Sequence, residues 1–176
     1  MKFHSTSIDG TYLIEWQPLE DERGYFATTR SDEEFCARGL INDLSECSVS
    51  YNQRRGTLRG MHYQAAPHQQ TKLVMCIGGS VFDALVDLRP DSPTYLKTCS
   101  AELSLASRNM LYVPAGVAHG FITLEDHSYI QYQIGGDYVP DAARGIRWDD
   151  PSFDIAWPMS PLVISDRDRN YEDYRL

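Results

Sequence analysis

The sequence predicts an all-β fold, an antiparallel sandwich or barrel for which a jelly roll is the natural form. Three observations carry this. Most segments able to form regular structure are short, rich in Val, Ile, Tyr and Thr, and bounded by Gly, Pro, Asp or Asn. Only one helix start is legible. No repeat, low-complexity stretch or linker interrupts the chain, so residues 1–176 read as a single domain, long enough to bury a core without disulfide or metal support.

Taken in order, the first strand falls at Thr11–Trp16. Ser31 followed by Glu34 is a capping-box pattern, which predicts a helix over Asp32–Arg38, ended by Gly39. Strands follow at Lys72–Ile77 and Val81–Leu88, joined through Gly78-Gly79, because paired glycines readily supply positive φ. Asp87–Tyr95 holds Pro90, Asp91, Ser92 and Pro93 and must turn. Asn109–Val113 and Tyr129–Ile134 complete the set, with a few short helices between strands.

Alternation assigns faces. Lys72, Val74 and Cys76 share one face of their strand, and Leu73 and Met75 the other. A lysine facing inward is costly to bury unless it meets a partner or ligand. Tyr129 and Tyr132 fall on opposite faces, so one of them points inward.

The formal net charge of −9 argues against a broad electrostatic grip on nucleic acid or on an anionic membrane. No apolar run approaches membrane-spanning length, and MKFHSTSIDG lacks the apolar core of a signal peptide, which implies a cytoplasmic protein. Cys36, Cys47, Cys76 and Cys99 stand singly and are read as reduced, mostly buried thiols.

Chemistry concentrates in four places. Gly56–Lys72 carries Arg59, His62 and Lys72, with Gly56 and Gly60 suited to a close approach of backbone to ligand. His119 follows a Pro/Gly turn in PAGVAHGF. Tyr132 and Tyr138 form the third group, and the tail ISDRD ends at Asp168. Each has a plain alternative. A lone histidine in a β-protein is more often structural than catalytic, and a buried tyrosine needs only one partner. Arg59 can cap a loop, and Arg167, Arg169, Glu172 and Asp168 can be solvated tail charge. His68 and His127 read as surface residues.

Together, RGMHYQ, KLVMCIGGSVFDALVDLRPDSPTY, LYVPAGVAHGF, the Tyr132/Tyr138 pair, RGIRWDDP, IAWP and ISDRD resemble the dTDP-4-dehydrorhamnose 3,5-epimerase family, in order and over nearly the whole chain. The resemblance implies a cupin jelly roll, usually a homodimer, acting without cofactor on a nucleoside-diphosphate 4-keto-6-deoxy sugar. It places His62 as base, Asp168 as the carboxylate behind it, Tyr132 as the opposite-face acid and Lys72 at the keto oxygen. His119 would bond the sugar or help hold the enolate, and Arg59 and Arg23 would contact the diphosphate. Phe26, Tyr138 and Arg167 join them as substrate-binding positions. Metal-binding cupins use an HxH pair with a downstream Glu, whereas this chain reads His62-Tyr63-Gln64, so the pocket is read as metal-free.

The sequence departs from the family at Thr28, at Glu46-Cys47-Ser48 and around Asp141–Arg144. These are positions of nucleotide and sugar recognition, so dTDP, CDP and GDP stay open, as does inversion at C3, C5 or both. Two other readings suit the same residues: a cupin ketoisomerase moving the carbonyl between C4 and C3, and a non-catalytic cupin that binds a sugar nucleotide or a metal.

Overall fold

Alternating inward and outward side chains are only stable as strands if another layer covers the apolar face. The computed structural model, which describes residues 1–41 and 43–175, meets that demand with stacked sheets. In chain order its elements are β1 (Lys2–Ser5), β2 (Tyr12–Glu15), β3 (Leu19–Asp21), β4 (Gly24–Phe26), α1 (Asp32–Cys36), β5 (Glu46–Asn52), β6 (Thr57–Gln64) and β7 (Thr71–Gly78). They continue with β8 (Ser80–Asp87), β9 (Thr98–Ser104), β10 (Asn109–Val113), β11 (Val117–Thr123), β12 (Ser128–Gly135), β13 (Ala143–Gly145), β14 (Val163–Ile164) and α2 (Asp166–Arg169).

One sheet has the order β1-β2-β10-β7-β12-β5, and the other β13-β6-β11-β8-β9 with β14 added parallel to β6. All other pairings are antiparallel. This is the expected jelly-roll sandwich with little helix.

Three apolar layers hold it together. Between the sheets, Val74, Cys76, Leu111, Val113 and Ile130 of the first pack on Val81, Leu85, Leu103, Val117 and Phe121 of the second. The outer face of the first sheet, including Leu73, Met75 and Met110, is covered by Phe35 of α1. Phe35 meets Phe3 and Tyr112 edge-on. The outer face of the second sheet, with Met61, Ala84, Val86 and Ala118, is covered by Ile146 and Phe153 and flanked by Tyr174 from the C-terminal segment. With both faces covered, β8 can be apolar along most of its length.

The helix is half of the expected capping box. Ser31 accepts the Glu34 backbone N–H at 3.4 Å, but the Glu34 carboxylate turns away to the Met1 amino group at 3.1 Å. It also ends at Cys36, shorter than the expected Arg38. The Gly78-Gly79 turn forms as expected, with Gly79 at φ 71°. The cysteine expectation is corrected in part. None of the four is in a disulfide, but only Cys76 is buried, while Cys36 and Cys47 lie exposed and Cys99 between.

The expected approach of Gly56 and Gly60 to a ligand is also corrected. A Cβ on Gly60 would lie 2.5 Å from the Gly120 Cα, and one on Gly56 would lie 2.9 Å from the Leu162 side chain. Both glycines make room for the chain itself, and Gly60 lets β6 and β11 cross closely beside the bulge between His119 and Phe121.

The turn after β8 is organised by one carboxylate. Fully buried Asp87 accepts from Arg89 Nε at 2.8 Å, Ser92 Oγ at 2.6 Å and Thr94 Oγ1 at 2.7 Å. Burial alone would raise its pKa, but those hydrogen bonds outweigh it and bring the group from 3.8 down to about 2. The folded pKa lies below the unfolded one, so this network stabilises fully above about pH 4. Its contribution is lost as pH falls through about 2. Asp87→Asn is therefore expected to lower stability at pH 7 by on the order of 1–3 kcal/mol in urea unfolding. The gap to the parent should narrow steadily between pH 4 and pH 2; a gap independent of pH would contradict the assignment.

Candidate active site

At one end of the inter-sheet core the apolar filling gives way to a cavity of about 290 Å³. Its wall includes His62, Tyr63, Gln64, Gln70, Lys72, His119, Tyr132, Ile134, Tyr138, Ala143, Arg144 and Arg167. The strand period explains why these side chains meet. Lys72 shares a face with the core residues Val74 and Cys76, His119 with Val117 and Phe121, and Tyr132 with Ile130. His62 sits opposite His119 in the β6–β11 register, which puts both on the inner face. The inward tyrosine is thus Tyr132, while Tyr129 lies 41% exposed.

His62 is held from behind by the C-terminal helix. Its Nε2 lies 2.7 Å from Asp168 Oδ1, and Asp168 Oδ2 accepts the Gly60 backbone N–H at 3.1 Å. The Asp168 backbone N–H in turn donates to Ser165 Oγ, the cap of α2. Burial pushes the Asp168 carboxyl up, but the His62 and Gly60 hydrogen bonds outweigh it and keep it below the ordinary carboxylate value. An ionised Asp168 accepts a hydrogen bond from Nε2–H, which leaves Nδ1 as the nitrogen with a free lone pair.

A second histidine–carboxylate pair lies deeper, with His119 Nε2 2.7 Å from Asp83 Oδ2 and both side chains at 5% exposure or less. Burial raises the Asp83 carboxyl, opposed by His119 and by the Lys72 charge. Burial lowers the Lys72 ammonium, opposed by Asp83. Asp83 Oδ1 is buried with no hydrogen-bond partner. Tyr132 stands edge-on to His119 at 5.9 Å, and burial first, then the Asp83 charge, push its phenol far above the ordinary value. Tyr132 therefore stays protonated. Two cationic side chains of the rim, Arg144 and Arg167, give the mouth positive charge in an otherwise acidic protein.

The cavity thus gathers His62, Lys72, His119, Tyr132, Tyr138 and Arg167, with Asp168 behind His62. Three expected positions are not in its wall. Arg59 donates from Nε to Asn52 Oδ1 at 2.8 Å, although its charge still acts on the buried Tyr132. Arg23 and Phe26 sit on the projecting β3–β4 hairpin, where Phe26 is 73% exposed and the Arg23 guanidinium pairs with Asp21. Of the three departures from the family pattern, only the stretch around Asp141–Arg144 reaches the cavity, through Ala143 and Arg144.

Asp83 is the residue that sequence reasoning missed. The signal was present, since Asp83 alternates with Val81 and Leu85 and so faces inward, by the same logic that singled out Lys72. Among the described residues, no group of three or more His, Cys, Asp or Glu side chains is placed to hold a metal ion, and no helix is long and apolar enough to cross a membrane.

With this geometry in hand, known proteins become informative. A family model described as dTDP-4-dehydrorhamnose 3,5-epimerase matches residues 5–175. A dTDP-4-dehydrorhamnose 3,5-epimerase from Sinorhizobium fredii is 41% identical over 169 residues, which is 96% of this chain and 87% of that protein. The crystal structure of the Bacillus anthracis enzyme of the same name, with TDP and PPi bound, superposes with a TM-score of 0.94 at 34% identity. That match covers 98% of this chain and 99% of the other. A 3'-monoepimerase from Streptomyces bikiniensis, in complex with dTDP-quinovose, superposes with a TM-score of 0.87 at 31% identity, over 97% of this chain and 86% of that one. Nearly full-length agreement in sequence and in fold leads to one conclusion: the chain belongs to the dTDP-4-dehydrorhamnose 3,5-epimerase family, epimerases with the cupin jelly-roll fold.

Proposed function

We propose that this enzyme inverts C3, C5 or both in a nucleoside-diphosphate 4-keto-6-deoxyhexose, with His62 as base and Tyr132 as acid. One observation carries the reading: His62 and Tyr132 reach the same cavity from opposite sheets, β6 on one side and β12 on the other. Inversion needs that arrangement. The 4-keto group acidifies the neighbouring C–H, His62 Nδ1 takes the proton, and the electron pair moves onto the ketone oxygen as an enolate. Asp168 stabilises the resulting imidazolium. The Lys72 ammonium and His119 stabilise the enolate oxygen, with Asp83 holding His119. Tyr132 then delivers its proton to the opposite face of the carbon, and both groups re-equilibrate with solvent. Burial favours this role, because a phenol kept protonated is always ready to donate.

Arg144 and Arg167 at the mouth suit a diphosphate, and Tyr138 beside them suits a sugar or base ring. The names of the relatives support thymidine as the base. The enzyme acts as one domain and without a cofactor, and four cysteines with no disulfide among them suit a cytoplasmic setting. A homodimer is part of the proposal. The β3–β4 hairpin exposes Leu19 and Phe26 at 76% and 73%, and Arg23 lies outside the cavity of its own chain. A second copy packed on this hairpin would bury both apolar side chains and bring Arg23 to that copy's diphosphate.

Four outcomes are expected. In deuterated water, NMR at C3 and C5 of the 4-keto substrate should show solvent exchange that His62→Ala slows by roughly 10²–10⁴-fold. Tyr132→Phe should retain proton loss while inversion fails; undamaged inversion would contradict the acid role, and a carbonyl moved to C3 would identify a ketoisomerase instead. In calorimetry dTDP should bind at least about tenfold tighter than CDP or GDP, a difference of about 1.4 kcal/mol. Sedimentation should show a dimer that Phe26→Asp dissociates, and a monomeric parent would remove the hairpin argument.

A further inference from the structure

The segment after Asp168 does more than deliver that carboxylate. We propose that Tyr171 is a positioning residue that fixes the His62 ring, and that Gly145 is a glycine because it must admit Tyr171. This rests on the reading of His62 as base.

The Tyr171 ring meets the His62 ring edge-on, with centroids 6.0 Å apart and planes at 75°. It lies directly on the backbone of Gly145, where a Cβ would come within 2.2, 2.3 and 2.6 Å of three of its ring atoms. Gly145 is also the cross-strand partner of His62 in the β13–β6 register. Its φ is not in the positive region, so the need for glycine there is one of space, not of backbone conformation. Over the ring, the Arg167 guanidinium stands 5.7 Å from its centroid.

The chain beyond is tied down. Asp173 pairs with Arg147 at 2.9 Å, the Tyr174 backbone N–H donates to Asp150 Oδ2 at 2.5 Å, and the Tyr174 hydroxyl meets that of Tyr95 at 3.0 Å. Tyr171 is therefore pinned between two anchors, Asp168 before it and Asp173-Tyr174 after it.

The need for such a wall follows from the exposure of the base. The His62 side chain is 42% exposed, and Asp168 holds only Nε2. A ring tethered through one nitrogen can still swing about that hydrogen bond, which moves Nδ1 relative to the carbon it must deprotonate. Tyr171 restricts the swing by contact, with no part in proton transfer. Displacements of about 1 Å at a reacting group can cost on the order of 10²-fold in rate.

The test uses the full-length enzyme and four variants. Tyr171→Ala should lower kcat for C3 and C5 exchange by roughly ten- to a hundredfold with KM little changed. Tyr171→Phe keeps the ring and should recover most of that loss. Gly145→Ala should behave like Tyr171→Ala, because its methyl displaces the ring, and the double variant should be no worse than Tyr171→Ala alone. An independent readout comes from the His62 ring resonances in NMR. They should shift and average in Tyr171→Ala but not in Tyr171→Phe, with equal melting temperatures confirming that both variants fold. Parent-like kcat in Tyr171→Ala, additive losses in the double variant, or unchanged His62 resonances would each overturn the proposal. Failure of the parent to exchange either proton would refute the epimerase reading, whereas the His62 resonances would still decide the contact.

Discussion

The packing of one sheet's inner face on the other is the constraint on which everything else rests. Val74, Leu111 and Ile130 meet Leu85, Val117 and Phe121 across the sandwich, and the register of those strands leaves their next inward positions no freedom. Where the inward positions are apolar they fill the core. Where they are Lys72, His119 and Tyr132 they form the inner wall of a cavity, with Asp83 buried behind His119. The proposed base and acid thus face each other as a consequence of which sheet each strand joins.

That arrangement puts ionisable groups where burial is costly. Asp83 is fully buried with one oxygen unpartnered, and Lys72 is pressed toward its neutral form by the same burial. An unsatisfied buried acceptor costs on the order of 1–3 kcal/mol. The carboxylate limits that cost by the 2.7 Å contact to His119 and by the nearby Lys72 charge. Such a cluster is a poor way to stabilise a core. It suits the proposed role of holding preorganised polar groups beside a developing enolate, since they need not reorganise when that charge appears.

The His62 side of the cavity is built on a different principle. Its carboxylate comes from a point 106 residues away in sequence and is aimed by a one-turn helix whose cap is Ser165. The C-terminal segment covers the apolar outer face of the second sheet through Tyr174, and in doing so brings Asp168 and Tyr171 to His62. Covering the sheet and orienting His62 are therefore one event.

Much of this was legible in the residues alone. Strand periodicity located β2, β7, β8, β10 and β12 to within a residue but gave no bounds for β5, β6, β9 and β11. It grouped Lys72 with Val74 and Cys76 and showed that one of Tyr129 and Tyr132 points inward, because side-chain alternation is a local property. The same rule held the signal for Asp83, which went unread between Val81 and Leu85. The motifs joined His62, Asp168, Tyr132 and Lys72 into one chemistry. What no local pattern contains is which distant segments touch. That Gly60 makes room for Gly120, that Tyr171 occupies the space left by Gly145, and that Arg23 and Phe26 project away from the cavity all depend on contacts between strands far apart in sequence. Local chemistry determined the strands, their faces and the reacting groups. Only the packing of the sheets and of the C-terminal segment decided where those groups stand, because proximity in a β-sandwich is set by cross-strand register and layer packing, not by position along the chain.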